Sequence, residues 1–316
     1  MENQNKMRSL CRDFLQHLEI EKNCSPLTVR NYQHYLQRFF NWVNKHKKSD
    51  IPIEKIDLKL IREYRQYLSR LVNSQGKTLK RVTQGYHVIA LRSFLKWLIK
   101  NDYHVLSPEK IDLPKTTSRS LKFLDAEQIE RLLNQPTLST PPGLRDKAML
   151  EMLFSTGLRV SELVGLNRDQ VDLKRGEFGV IGKGGRARVV FLSKRAAEWI
   201  QRYLRSRDDH WPPMFIRYSG KIAESDKGES MRLTARSVQR LIKKYTKKAK
   251  LAVAATTHTL RHSFATDLLI HGADLRSVQE LLGHKNIATT QIYTHVTDLH
   301  LKRIHQKFHS GNRGFY

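Results

Sequence analysis

Apolar residues in the first hundred positions recur at three- and four-residue intervals, the spacing that lines one face of an α-helix. Ser25-Pro26 supplies an N-cap followed by proline at the first helical position, after which Tyr32, Leu36, Phe39, Phe40 and Val43 fall on one side. A further helix is predicted after Asp57 through Leu60, Ile61, Tyr64 and Leu68. Another runs from about Lys80 to Lys100 with Val88, Leu91, Leu95 and Leu98 on one face. With an opening helix over Arg8 to Ile20, these segments predict a four-helix domain whose apolar and aromatic stripe is its core. The pattern then lapses into LSPEKIDLPKTTSRS, where two prolines and several hydroxyl residues interrupt helical packing. The expected organisation is a helical domain over 1–106, a linker over 107–120 and a second domain over 121–316.

The second block opens with helices through Asp125 to Leu133 and Arg145 to Phe154, and Thr156-Gly157 supplies a stop. The stretches beginning at Phe178 and at Arg188 alternate as strands about the turn GKGG, which predicts an antiparallel hairpin with Lys183 at its tip. A helix begun by Thr256 or Thr257 carries His258 and Arg261 three residues apart, hence on one face. Gly283 ends a helix over Ser277 to Leu282 and leaves His284 just beyond it. Leu301, Ile304 and Phe308 share one side of a short helix near the carboxyl end. The fold class is mainly α with a small antiparallel β-sheet.

Charge narrows the class of partner. There are 57 Lys+Arg against 30 Asp+Glu, a formal net charge of +27, which points to a polyanion. The charge is clustered: Tyr64 to Asn101 holds eight Lys/Arg and no carboxylate, and Ser230 to Thr266 holds nine and none. Such stretches suit phosphate tracking along a duplex better than a general solubility charge. The opening MENQNKMRSLCRDF has no apolar run of signal-peptide type, and no stretch reads as a membrane span, so a cytoplasmic protein is expected. Cys11 and Cys24 have no matching Cys/His set, which argues against a zinc site or a disulfide framework.

Side chains suited to phosphodiester chemistry lie in order along the second block: Arg159, Lys183, His258, Arg261, His284 and Tyr293. Arginine, lysine and histidine can neutralise a crowded phosphorus centre, and a tyrosine hydroxyl can attack it. His258 and His262 stand four apart and could face a metal, but the glutamate of a HExxH arrangement is missing and neither cysteine is near. Glu162, Asp267, Asp274, Glu280 and Asp298 read as caps, ion pairs or surface charges, with Glu162 a candidate to orient Arg159. No metal and no cofactor is expected.

The strings LRDKAMLEMLFSTGLRVSELVGL (144–166) and HTLRHSFATDL through LLGHKNIATTQIYTHV (258–296), with GKGG between them, resemble the tyrosine site-specific recombinases, in particular the Xer-type chromosome dimer resolution recombinases. The resemblance covers nearly the whole chain. It implies a SAM-like, four-helix core-binding domain and an α+β catalytic domain that close as a C-shaped clamp on double-stranded DNA. It further implies that Tyr293 is the nucleophile forming a 3′-phosphotyrosyl link. On the same resemblance, Arg159 and Arg261 are expected to hold the non-bridging oxygens, His284 to add a hydrogen bond, Lys183 to protonate the leaving 5′ oxygen and His258 to take the tyrosine proton. Strands then exchange through a Holliday junction in a homo- or hetero-tetramer on two DNA sites, the carboxyl-terminal helix docking on a neighbouring subunit. A septal DNA translocase and a second, paralogous recombinase are partners that the family raises.

The chain departs from the family's usual look where Thr257 precedes His258 in place of a frequent proline. Arg217 to Arg232 reads as an exposed polar loop of unassigned purpose. An integrase of a mobile element shares the same residues, a type IB topoisomerase fits the motif order less well, and a DNA-binding protein without catalysis is the remaining alternative. The DNA target stays open, because clustered basic residues report phosphate contacts and not base readout.

Overall fold

The Asp57 carboxylate accepts a hydrogen bond from the Leu60 amide at 2.7 Å, and the Ser25 hydroxyl accepts one from the Thr28 amide at 3.3 Å. Each satisfies an amide that the first helical turn leaves without a partner. The computed structural model describes residues 2–47, 51–72, 76–114, 122–182, 185, 187–220 and 226–283. The chain forms two compact units, Met1–Ser118 and Arg119–Tyr316.

The first unit consists of α1 (Glu2–Ile20), α2 (Pro26–Lys47), α3 (Leu58–Arg70) and α4 (Arg81–Lys100). Helix α4 packs against α1, α2 and α3. Phe14, Leu36, Phe39, Tyr64, Leu68, Leu91, Phe94 and Leu98 are buried between them. Rings interlock there, with Phe14 edge-on to Phe94 at 5.4 Å and Phe39 edge-on to Tyr64 at 4.9 Å. Each such side chain contributes about 1.5–3 kcal/mol on burial. The core runs on past α4 to Ile111, behind a short 3-10 helix at Pro108–Lys110.

The second unit is built on α5 (Ala126–Leu133), α6 (Pro141–Thr156), α7 (Val160–Gly165), strands β1 (Glu177–Ile181) and β2 (Ala187–Phe191), α8 (Lys194–Arg205), α9 (Ala235–Lys248), α10 (Thr257–Ile270) and α11 (Leu275–Leu282). Helix α6 lies at its centre against α8 and α10. It begins earlier than the spacing of apolar residues indicates, because Thr140 caps it and Pro141 takes the first helical position. Four of its charged residues are buried, each with a partner: Arg145 bonds Asp146 and the Ile216 carbonyl, and Lys147 bonds Glu151 and the Leu133 carbonyl. The Tyr245 hydroxyl closes this network on Asp146 at 2.6 Å.

Strands β1 and β2 pair antiparallel, Glu177 opposite Phe191 and Ile181 opposite Ala187, as the alternation predicts. The mainly helical class with one small antiparallel sheet is the observed architecture. The polar segment 217–232 is only partly an exposed loop. Its ends are pinned by Arg217 N to the Met231 carbonyl at 2.7 Å and Leu233 N to the Phe215 carbonyl at 3.0 Å. Met231 is buried, and Arg232 donates to the carbonyls of Val164 and Leu166.

Candidate active site

Two glycines in the left-handed conformation bring the site together. Gly157 ends α6 at φ 60°, and a Cβ there would lie 2.5 Å from the Phe264 ring, so both backbone and space require glycine. The turn it makes delivers Arg159 to the N-cap position of α7. Gly283 ends α11 at φ 64°, presenting its own carbonyl and that of Leu282 to the same region.

Arg261 projects from the second turn of α10, whose N-cap is Thr256. It is buried and donates to the Gly157 carbonyl at 2.6 Å and to the Leu282 carbonyl at 2.5 Å. Arg159 donates to the Gly283 carbonyl at 3.4 Å. The two guanidiniums predicted to act together therefore reach consecutive carbonyls at the end of one helix. Arg159 keeps 28% of its side chain exposed, so it retains donors that face solvent.

Glu162 fixes Arg159 in two ways: one carboxylate oxygen accepts from the Arg159 amide at 2.8 Å, the other from its guanidinium at 2.8 Å. The carboxylate has a second cation that sequence reasoning missed. Arg188 on β2 donates to both oxygens, at 2.9 and 2.8 Å. Burial pushes the Glu162 carboxyl up, but hydrogen bonds from Arg188 and Arg159 and the charge of Arg188 outweigh it and bring the group down to about 2. The carboxylate is thus ionised at any working pH. The signal for Arg188 was present in the strand alternation, which places it on the inward side with buried Val190.

His258 is exposed on the first turn of α10, on the face that carries Arg261. His262, one turn on, is lowered to about 4 by burial and by the neighbouring charges of His258 and Arg261, so it is neutral at pH 7. Among the described residues no group of three His, Cys, Asp or Glu side chains is arranged to hold a metal. Lys183, His284 and Tyr293 lie outside the described residues, as do Leu301, Ile304 and Phe308.

The model of the phage integrase family matches residues 122–300, and that of the phage integrase N-terminal SAM-like domain matches 11–102. The chain belongs to the phage integrase family. It is a tyrosine recombinase, an enzyme that cleaves and rejoins DNA by transesterification. It is similar to the tyrosine recombinase XerD of Lacticaseibacillus casei, 36% identical over 304 residues, covering 96% of this chain and 99% of that one. The XerC of Pelotomaculum thermopropionicum is 37% identical over 309 residues, covering 96% and 98%. The XerH site-specific recombinase bound to palindromic difH shares the fold, with TM-score 0.67 and 20% identity over 96% of this chain and 84% of that one. A lambda integrase dimer bound to a COC′ core site does so at TM-score 0.67 and 17% identity, over 89% and 96%. Among the described residues of this recombinase no helix is long and apolar enough to cross a membrane.

Proposed function

We propose that this recombinase performs Xer-like resolution of chromosome or plasmid dimers, acting on double-stranded DNA in the cytoplasm. Tyr293 attacks the scissile phosphorus: the bond from its phenol oxygen to phosphorus forms and the bond to the 5′ oxygen breaks. His258 takes the phenol proton and Lys183 gives a proton to the departing 5′ oxygen. Arg159 and Arg261 hold the non-bridging oxygens while negative charge accumulates, and His284 donates a further hydrogen bond. The phosphotyrosyl ester conserves the energy of the broken linkage, so a 5′ hydroxyl from the partner duplex reverses the attack without ATP.

The observation that carries this reading is the convergence of Arg159 and Arg261 on the carbonyls of Gly283 and Leu282. Two cations from distant parts of the chain meet one residue before His284, and their assembly suits a single phosphate. The basic runs from Tyr64 to Asn101 in the first unit and from Ser230 to Thr266 in the second support DNA contact by each unit. Four protomers on two DNA sites complete the reaction, either identical or mixed with a paralogous recombinase. The carboxyl-terminal segment with Leu301, Ile304 and Phe308 joins neighbours, and a septal DNA translocase is a further partner of this scheme.

The test is a nicked duplex that traps the covalent step, incubated in EDTA. Wild-type protein is expected to give a denaturation-resistant protein–DNA adduct, and Tyr293→Phe none. An adduct of undiminished yield with Tyr293→Phe would remove the assignment.

A further inference from the structure

Arg188 occupies a costly position. It stands on the inward side of β2, where an unpaired guanidinium would suffer a large desolvation penalty. Its terminal nitrogens form a fork on both oxygens of Glu162, and the same carboxylate accepts the backbone and side chain of Arg159. Its stem packs against Gly283: a Cβ added to that glycine would meet Arg188 Cδ at 3.0 Å. Gly283 is also the residue whose carbonyl accepts from Arg159. Both of the groups that hold the Arg159 side chain are therefore held in turn by Arg188.

Burying this cation is a poor route to stability alone, since apolar replacements of buried ion clusters are frequently neutral or stabilising. Among the described residues its Nε is buried with no hydrogen-bond partner, a further cost. Charge supplies the compensating reason. Arg159 and Glu162 by themselves sum to zero, Arg188 returns the cluster to one net positive charge, and neighbouring Arg261 raises it to two. A phosphodiester begins with one negative charge and gathers more as a phenolate-like oxygen adds to it, so a site that stays cationic favours the transition state over the ground state.

We infer, on the reading that Arg159 binds the scissile phosphate, that Arg188 is a positioning residue for strand cleavage, fixing Arg159 through Glu162 and Gly283 and keeping the Arg159–Glu162 pair from being electrically neutral. It touches no DNA in this role.

The experiment uses the full chain on a nicked duplex containing its site as mapped by footprinting, at saturating protein. One substrate has an ordinary scissile phosphate and the other a methylphosphonate, which removes the negative non-bridging oxygen. Arg188→Gln is expected to slow adduct formation about 10- to 100-fold on the phosphate, less than or at the lower edge of the loss from deleting a directly bonding donor. Duplex affinity should stay within about twofold, placing the loss in the chemical step. Arg188→Lys, which keeps the charge but loses the fork, should fall between Arg188→Gln and wild type. On the methylphosphonate both deficits should shrink to within about threefold, because the charge to be met has gone.

Deficits of equal size on the two substrates would overturn the inference, as would wild-type rates for both variants. Should Arg188→Gln fail to fold, the ratio of the two substrates for Arg188→Lys decides the matter by the same criterion. Arg159→Ala serves as the reference, and its cleaving at the wild-type rate would remove the role of Arg159 itself and with it any role for Arg188.

Discussion

The two units bury different things. Between α1 and α4 the interior is aromatic and aliphatic; among the described residues His87 is its one buried polar side chain, and the lysines, arginines and carboxylates of those helices are exposed or half-buried. In the second unit α6 carries Arg145, Asp146, Lys147 and Glu151 into the interior, and Arg261, Arg188 and Glu162 extend the buried ionic material to the site. An apolar core tolerates its own rearrangement but positions nothing polar. A core with ionised groups fixed by hydrogen bonds holds cations at set places, at a desolvation cost that a merely structural domain has no reason to bear. Under the proposed function, the second unit is where a phosphate meets the guanidiniums of Arg159 and Arg261.

The largest expected break in this contrast is Phe94→Ala. Phe94 is fully buried against Phe14, Phe40 and Trp97, and its loss should cost about 3–5 kcal/mol. Hydrogen exchange should show α1 to α4 losing protection while α6 and α10 keep theirs. Equal loss in both units would contradict a separation of the two cores.

Acid should act in the opposite sense. The Glu162 carboxyl titrates near 2 in the folded protein against an ordinary 4.5, so its stabilising contribution is present above about pH 4.5 and is lost as pH falls towards 2. His262, lowered to about 4 from 6.5, takes up its proton less readily folded than unfolded, so the folded state also loses ground as pH falls from 6.5 to 4. Exchange protection in α10 and β2 should fall with pH over these windows. Glu162→Gln should flatten the lower one and leave the upper unchanged. A lower window that persists in Glu162→Gln would show that other carboxylates govern it.

Smallest of the three is Asp57→Ala, which removes the α3 cap and should cost about 1 kcal/mol, read as a shift in the denaturant midpoint of the first unit. A midpoint unchanged from wild type would mean that water replaces the cap without loss.

The first unit was legible almost entirely from its sequence, because its helices are amphipathic: Asp57 opens α3, Ser25-Pro26 opens α2, and the buried positions keep helical spacing. The second unit gave up its turns, with Gly157, Gly283, Thr256 and the hairpin where they were expected. Helix α6 resisted, since a helix buried on all sides has no polar face for a periodic pattern to reveal, and its start was hidden by Pro141 and Pro142. Arg188 was overlooked because an arginine in a strand passes for a surface charge until its partner is known. Glu162 was read as an aid to Arg159, which it is, but its service to two cations is a fact of three dimensions. The predicted roles of Lys183, His284 and Tyr293 fall outside the described residues and rest on the proposal above.

Arg261 and Arg159 grip peptide oxygens, so their addresses on α11 are written in the main chain. Leu282 can drift to another aliphatic residue without altering either address, whereas inserting one residue into α11 would turn the following carbonyls by about 100° around the helix axis. Exposed positions such as Arg276 and Glu280 can thus change, while buried Val278 and Leu282, the left-handed Gly283 and above all the length of the segment are constrained.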